Sequence, residues 1–297
     1  MKRVGSKRVE VPPEKRRSSA RSLATFRSTV WGYWKKSGRH NLPWRKTNDP
    51  YKILVSEIML QQTQVDRVIP YYQDFLERFP TLQSLAEAKL ADVLRVWSGL
   101  GYNRRAKLLR DCAKEIVEKH DGRVPKDAAT LVSLPSIGPY SAGAIRAFAF
   151  NRPGIFIETN IRTAFFHHFP VFHMTHGRKR SGTVRDREIF EIARKAGKRQ
   201  DPKKWHWALM DYGAYLKKSG VKLNQKSSHY TKQSKFEGSL RQARGEILRA
   251  LAMSTSTEDS LFLTVELPRR RFGKALQHLN AEGLIEQKDG AWRLAMH

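Results

Sequence analysis

Residues 134–144 read Leu-Pro-Ser-Ile-Gly-Pro-Tyr-Ser-Ala-Gly-Ala, and the fold that we predict is built around this turn. The helical periodicity before it predicts a helix that ends here, and Pro139 opens the next helix where a missing N–H costs nothing. Gly138 allows unusual backbone torsions. The N–H groups of this helix start can hold one phosphate, so we expect Ser136, Gly138 and Ser141 to form a phosphate-binding turn. A tight turn that binds nothing is the alternative.

The same periodicity extends outward from this turn in both directions. Between Leu23 and Leu216, apolar residues recur at spacings of three and four, and Pro and Gly separate the segments. Strand-like alternation of useful length is lacking, so the sequence predicts an all-α domain over residues 22–216. The predicted helices are 22–36, 50–65, 68–78, 81–86, 90–96, 103–119, 127–133, 139–150, 158–168, 185–198 and 201–216.

The charge balance points to a polyanionic partner. The chain has 56 Lys and Arg residues against 28 Asp and Glu residues, a formal net charge of +28. Nucleic acid is favoured over a membrane surface, because no stretch approaches the ~20 apolar residues of a membrane span and the basic N-terminus has no apolar signal core. Cys112 is the single cysteine, which excludes internal disulfides and any four-cysteine metal site. We expect a cytoplasmic, nucleoid-associated protein.

Two polar segments flank the helical domain. Residues 1–21 are rich in Lys, Arg, Ser and Pro, which is typical of a disordered basic arm. This arm either follows a DNA backbone or is only a solvated tail. Residues 217–237 form a basic linker or surface loop that can contact phosphates.

The last 60 residues, 238–297, have a different pattern. Two amphipathic helices, about 240–252 and 267–282, precede two short strand-like runs joined by a turn at 288–290. This order predicts a winged-helix-like module that binds DNA or another protein. The run Pro-Arg-Arg-Arg at 268–271 opens its second helix, where it either meets a phosphate backbone or is simply solvated.

A first candidate for chemistry is Glu57. Ile53 and Leu60 lie four and three positions away, so the carboxyl group has apolar neighbours on its helix. Gln61 and Gln64 follow one turn later on the same predicted face, as in the wall of a binding cleft. Partial desolvation there raises a carboxyl pKa, and a general acid requires this. A capping or ion-paired glutamate at a helix edge is the alternative.

A second carboxylate, Glu158, opens a helix about 20 residues after the turn. The helix dipole there favours the ionised form, although a plain N-terminal helix acid is the alternative. Glu57 would then supply a proton, the turn would bind a phosphate, and Glu158 would supply a negative charge. Cleavage of a glycosidic bond needs this division, because the leaving group takes a proton and the sugar becomes oxocarbenium-like.

Three segments carry a resemblance to a known family. They are LPWRKTNDPYKILVSEIMLQQTQVDRVIPYYQDFLERFPTLQSLAEA, WSGLGYNRRAKLL and LPSIGPYSAGAI. They resemble the MutY-type adenine DNA glycosylases of the helix-hairpin-helix superfamily, over roughly residues 25–216. The resemblance implies a bilobal all-α fold with its active site between the lobes.

The resemblance also implies roles for individual residues. Glu57 matches the glutamate that protonates the adenine leaving group, and Asn160 matches the asparagine of the family's Asp-Gly-Asn segment. Tyr140 stands where relatives similar to endonuclease III carry a Schiff-base lysine, so base removal without strand cleavage is expected. The residues that match positions wedging into the duplex beside the partner base are Gln61, Gln62 and Tyr102.

The chain departs from the family in three respects. Glu158 replaces the catalytic aspartate, and its extra methylene moves the carboxylate by about 1.5 Å. The family's usual Nudix-like C-terminal domain is replaced by the winged-helix-like module. The places of the four cysteines that usually bind a [4Fe–4S] cluster fall near Lys217, Asn224, Ser227 and Gln233. We therefore expect no iron–sulfur cluster and no metal site, with a monovalent cation at the hairpin as the one option left open.

These observations predict a monomeric, monofunctional DNA glycosylase of base excision repair. It would flip adenine from a mispair with 8-oxoguanine or guanine in double-stranded DNA and hydrolyse the N-glycosidic bond. One alternative is a glycosylase acting on thymine or uracil in mispairs. The other is a non-catalytic DNA-binding protein on the same scaffold.

Overall fold

The computed structural model describes residues 13–172, 174–175, 178–179, 181–232 and 235–297. Residues 1–12 of the predicted basic arm lie outside the described residues, whereas residues 13–21, predicted as part of that disordered arm, instead begin the first helix, in which Pro13 fits the first turn. Within the described part, no helix combines the length and apolar character that a membrane span requires. In chain order the elements are α1 Pro13–Ser37, α2 Pro50–Met59, α3 Val65–Arg78, α4 Leu82–Glu87, α5 Leu90–Trp97, α6 Arg104–Lys119, α7 Ala128–Ser133, α8 Pro139–Phe150, α9 Thr159–His168, β1 Met174–Thr175, β2 Arg178–Lys179, α10 Asp186–Gly197, α11 Pro202–Lys218, α12 Leu240–Met253, α13 Glu258–Val265, α14 Arg269–Ala281, β3 Ile285–Lys288 and β4 Ala291–Leu294.

The fold is mostly helical, as predicted, with three local differences. The predicted helix 50–65 is wrong in its second half, because α2 ends at Met59 and a turn that includes Gln62 at φ 57° precedes α3. Gln61 and Gln64 therefore do not continue the helical face of Glu57. Helix α13 and the short β1–β2 hairpin were not predicted, since each is too short to show a clear period.

The described chain divides into two compact units. The first unit takes the residues up to Arg39 together with Ile157–Tyr230, and the second takes His40–Phe156 together with Thr231–His297. In the first unit α11 packs along α9 and α1. Phe26 of α1 is buried against Phe165 at a ring distance of 5.0 Å and against the edge of Trp205 at 6.0 Å.

The second unit has one continuous apolar core, to which the C-terminal elements contribute. Trp97 is fully buried against Phe75, and the two rings meet edge-on at 5.9 Å. Helix α5 packs against both α12 and β4, and the Leu90 N–H donates to the main-chain oxygen of Met296. The C-terminal segment is therefore part of the scaffold that holds α2, α6 and α8.

The C-terminal segment has the predicted helix-then-hairpin order. Strands β3 and β4 pair antiparallel, and Lys288 opposite Ala291 closes a two-residue turn. Asp289 and Gly290 take φ values of 52° and 75°, as a type I′ turn requires. A further antiparallel bridge joins Ser256 to Trp292. The winged-helix-like assignment stays a prediction.

Candidate functional site

Glu57 lies on the buried side of α2. Asp49 caps this helix by accepting a hydrogen bond from the Tyr51 N–H at 2.9 Å, and Pro50 occupies its first turn. The Glu57 side chain is 6% exposed, with Ile53 and Leu54 buried beside it. The structure thus places this carboxyl group in sheltered surroundings, as the apolar neighbours predicted.

The end of α2 is organised by Arg105, a residue that the sequence analysis did not single out. Its guanidinium is buried and donates to main-chain oxygens both at the helix end and in the following turn. Its acceptors are the main-chain oxygens of Ile58, Met59, Gln61 and Gly101 and the hydroxyl of Thr63, at 2.6–3.0 Å. Burial lowers the pKa of Arg105 to about 10, so the group stays charged at neutral pH. The available signal was the Asn-Arg-Arg run that follows Gly-Leu-Gly-Tyr, in which Arg105 is the second arginine.

The three predicted wedge residues come together at one cavity. Gln61, Gln62 and Tyr102 line a space of about 340 Å³, together with Ser136 of the hairpin turn. Gln62 and Tyr102 both have left-handed backbone conformations, at φ 57° and 51°. Such conformations cost about 1–3 kcal/mol outside glycine and concentrate at functional sites. The loops after α2 and before α6 are therefore shaped by the surrounding structure and not by local preference.

The hairpin turn differs from the prediction in two details. Its left-handed residue is Ser136, at φ 66°, whereas Gly138 lies at φ −87° as the residue preceding α8. A Cβ on Gly138 would meet no protein atom within 4 Å, so the turn is open on that side. Ser141 is only 4% exposed, and its hydroxyl accepts from the Gln61 side chain at 3.4 Å. The Ser141 side chain therefore faces the protein, and only its backbone remains suited to a phosphate contact.

Tyr140 lies in the first turn of α8 and is half-buried. Its ring meets the edge of Phe156 at 5.3 Å, and Phe156 in turn contacts Phe148 at 5.7 Å. Gly143 faces Phe156 so closely that an added Cβ would lie 3.2 Å from it. This aromatic packing holds Tyr140, which lies in the same unit as Glu57.

Glu158 and Asn160 lie in the first unit, at the start of α9. A Glu158 carboxylate oxygen accepts from the Ile161 N–H at 2.8 Å and thereby caps the helix. Burial raises the pKa of Glu158, and this outweighs the opposing effects of the Asn160 and Ile161 N–H groups and of Lys217. The N–H groups at the helix start thus lower the pKa, as the helix position predicted, but a second effect that raises the pKa is larger. The cause is desolvation, which sequence position alone does not reveal.

The start of α9 is held by a close contact with α11. A Cβ at Gly213 would lie 1.9 Å from the main-chain oxygen of Asn160, so only glycine fits there. In the same helix, Asp211 is buried and accepts from the Arg39 main chain at 2.9 Å and from its guanidinium at 2.6 Å. Of the four predicted catalytic residues, the first unit carries Glu158 and Asn160, and the second unit carries Glu57 and Tyr140.

The residues present do not fit a four-thiolate cluster. The single cysteine, Cys112, is buried in α6, and burial raises its pKa to about 12, which opposes the thiolate form. Among the described residues, no group of three or more His, Cys, Asp and Glu side chains is placed to hold a metal ion. Of the predicted ligand positions, Lys217 lies in the last turn of α11, while Gln233 lies outside the described residues.

Hydrogen bonds fasten the loop where such a cluster would lie. The Asn224 side chain donates to the Thr163 hydroxyl of α9 at 2.6 Å. Ser227 pairs with Val184, whose N–H donates to the Lys226 oxygen at 2.7 Å. At the start of α10, both oxygens of Asp186 accept from the Arg162 guanidinium at 2.8 Å. Hydrogen bonds between protein groups therefore tie the loop after α11 to α9 and to the chain before α10.

Comparisons with known proteins point to base excision DNA repair. The family described as the HhH-GPD superfamily base excision DNA repair protein matches residues 55–205. The adenine DNA glycosylase of Mycolicibacterium smegmatis is 34% identical over 282 residues, which cover 88% of this chain and 94% of that protein.

Of two further matches, one covers less than half of each chain, and the other shows only that the fold is shared. The adenine DNA glycosylase of Buchnera aphidicola subsp. Baizongia pistaciae is 40% identical over 146 residues, 49% of this chain and 42% of that protein, so the match spans less than half of that relative. The solved structure of a thermostable thymine-DNA glycosylase shares the fold, with a TM-score of 0.59 and 22% identity over 72% of this chain and 98% of that one. The chain belongs to the HhH-GPD superfamily of base excision DNA repair proteins.

Proposed function

We propose that this protein is a monofunctional adenine DNA glycosylase that hydrolyses the N-glycosidic bond of adenine mispaired with guanine or 8-oxoguanine. The observation that carries the proposal is the buried Glu57 carboxyl group on α2, within the segment that matches the family. The near full-length likeness to an adenine DNA glycosylase supports adenine as the excised base. The net charge of +28 suits duplex DNA as the partner.

In this reaction Glu57 gives its proton to a ring nitrogen of the flipped adenine. The bond between the sugar carbon C1′ and adenine N9 then breaks, and the base leaves as neutral adenine. The oxocarbenium-like sugar gains from a nearby negative charge, a role that suits the Glu158 carboxylate. Water adds to C1′, and its proton returns to Glu57. With Tyr140 in place of a lysine, no Schiff base forms and the strand stays intact.

The test compares wild type with Glu57→Gln on duplexes that contain adenine opposite 8-oxoguanine, followed by alkali to break abasic sites. General acid catalysis contributes about 10²- to 10⁴-fold, so a loss in this range is expected. The matched control is Glu77→Gln, which changes an exposed glutamate on α3 of the same unit. Equal strand breakage by wild type and Glu57→Gln would overturn the role of Glu57.

A panel of mispairs tests the base itself. Wild type should release adenine and leave thymine and uracil in place when these stand opposite guanine. Release of thymine or uracil instead would make the protein a mismatch glycosylase of another specificity. Tight, salt-sensitive binding without any released base would identify a non-catalytic DNA-binding protein.

A further inference from the structure

We propose that Arg241 and Arg244 of α12 read the base opposite the excised adenine, and that their ligand is guanine or its 8-oxo derivative. The inference rests on the proposed function, which supplies the mispair. It assigns specificity for the partner base to the C-terminal segment, which has no counterpart in the motifs that carry the family resemblance.

The cavity beside the wedge residues is the basis of this proposal. Besides Gln61, Gln62 and Tyr102, its lining includes Arg241, Arg244 and the α14 neighbour Glu282. Its volume of about 340 Å³ lies in the range of small-ligand pockets, about 300–1,000 Å³. Glu57 and Tyr140 are not among its lining residues. The cavity therefore suits the base that remains opposite the gap better than the base that is removed.

Arg241 is built into the wall of this cavity. Its Nη1 donates to the Tyr102 hydroxyl at 2.6 Å, and its guanidinium lies 5.4 Å from the centre of the Tyr102 ring. Arg105 lies over the same ring at 5.3 Å. Tyr102 is thus held by one arginine from the glycosylase segment and one from the C-terminal segment. A guanidinium has five donors in a rigid fork, so the bond to Tyr102 orients the group.

Arg244 and Glu282 add a paired donor and acceptor. The Arg244 guanidinium donates to both oxygens of the Glu282 carboxylate, at 2.8 Å for one of them, and both side chains are mostly buried. Four arginines and one glutamate line the cavity, so its field favours a ligand edge that carries acceptor oxygens.

The chemistry of guanine matches this lining. Guanine presents O6 and N7 as adjacent acceptors, which is the commonest target of an arginine fork. 8-Oxoguanine places an N7–H donor between two acceptor oxygens, a pattern that an arginine and carboxylate pair can match. Adenine presents an amino donor at the position of O6, and the pyrimidines have a smaller ring system. The lining therefore favours guanine and 8-oxoguanine over the other bases.

The experiment uses the full chain and three variants: Arg241→Ala, Arg241→Lys and the control Arg249→Ala, which changes an exposed arginine of the same helix. Single-turnover rates are measured for adenine opposite guanine, 8-oxoguanine and cytosine. Dissociation constants are measured on the same duplexes with a non-hydrolysable 2′-fluoroadenosine. Thermal unfolding checks that each variant is folded.

We expect Arg241→Ala to weaken binding and to slow base release when guanine or 8-oxoguanine is the partner base. Each loss should exceed the loss measured opposite cytosine by about 10-fold or more. Arg241→Lys should lose most of this discrimination, because a point charge lacks the fork. Arg249→Ala should keep the wild-type ratios.

Each remaining outcome has a distinct meaning. An equal loss for all three partners would show that Arg241 binds a backbone phosphate. Wild-type rates and dissociation constants on all three duplexes would show that it contacts no DNA. Either result overturns the inference. If wild type releases no adenine from any duplex, the proposed function fails instead. The dissociation constants still decide the role of Arg241 in that case.

Discussion

Arg105 donates a hydrogen bond to the main-chain oxygen of Met59, and the two atoms lie 2.8 Å apart. Met59 is the last residue of α2, two positions after Glu57. The carbonyl groups at a helix end have no partner within the helix, and here a buried guanidinium satisfies them. The same guanidinium holds Gln61 of the next turn. One side chain thus positions both the candidate acid and the wedge residues.

This relationship predicts that Arg105→Lys is strongly disruptive although it keeps the charge. Lysine cannot reach several main-chain oxygens at once, so buried acceptors lose their donors at about 1–3 kcal/mol each. We expect the free energy of unfolding to fall by at least ~3 kcal/mol in urea titrations, and the rate of base release to fall with it. Arg249→Lys, an exposed change in the same unit, should leave both unchanged. A fully stable, fully active Arg105→Lys would contradict this role.

A second prediction concerns the contact between α9 and α11. Gly213→Ala places a Cβ against the main-chain oxygen of Asn160, so the start of α9 must shift. A shift near 1 Å can cost about a hundredfold in rate, and we expect a loss of this order together with a lower melting temperature.

Gly32→Ala is the matched control for Gly213→Ala, because a Cβ at Gly32 would meet nothing within 4 Å. Gly32 lies inside helix α1 of the same unit, where alanine stabilises by about 0.5–1 kcal/mol. Similar melting temperatures for the two variants would show that the close contact with Asn160 is unimportant.

A third prediction follows from the raised pKa of Glu158. If the ionised carboxylate stabilises the sugar, the rate of base release should rise with pH through a value above the ordinary 4.5 of glutamate. Glu158→Gln keeps an acceptor for the Ile161 N–H and should lose this limb of the pH–rate profile. An unchanged profile in Glu158→Gln would show that another group controls the limb.

The raised pKa of Glu158 also predicts how the stability of the fold depends on pH. A folded-state pKa above the unfolded value means that the protonated form is favoured in the folded state. Its stabilising contribution is full below the unfolded value and is lost as pH rises through the raised folded value. The stability of Glu158→Gln relative to wild type should therefore increase with pH across this window, as measured by urea unfolding.

A fourth prediction concerns the loop after α11. Asn224→Ala removes the donor to the buried Thr163 hydroxyl, and the free energy of unfolding should fall by about 1–3 kcal/mol. Lys222→Ala changes an exposed side chain of the same loop and should have little effect. Because the loop is tied by protein groups, an iron chelator should leave the melting temperature of wild type unchanged. A chelator-dependent loss of stability would contradict this account.

The elements that the sequence predicts correctly depend on preferences within a few residues. Pro50, Pro139 and Pro202 begin helices where predicted, since proline is pre-shaped for a first turn. Asp289 and Gly290 form the predicted hairpin turn because both tolerate positive φ. Glu57 is buried, as its apolar neighbours on the same helix predicted, and residues 53–59 are all buried around it.

The failures involve partners that are distant along the chain. The sequence pattern continued this helix through Val65, yet α2 ends at Met59. There Arg105, which is 46 positions away along the chain, donates to the free main-chain oxygens of the helix end. Arg241 reaches Tyr102 across 139 positions. Periodicity carries no information about such pairs, because it reports only which side of an element is apolar.

The sequence by itself determined the helical class, the hairpin, the chemical types at the candidate site and the lack of thiolates for a cluster. Only the tertiary structure decided that desolvation raises the pKa of the half-buried Glu158, and that the C-terminal segment completes the wall of the cavity beside the wedge residues. Helix starts and turns depend on backbone preferences within a few residues, which a sequence displays directly. Desolvation and cavity walls depend on which distant side chains meet, and folding alone brings these together.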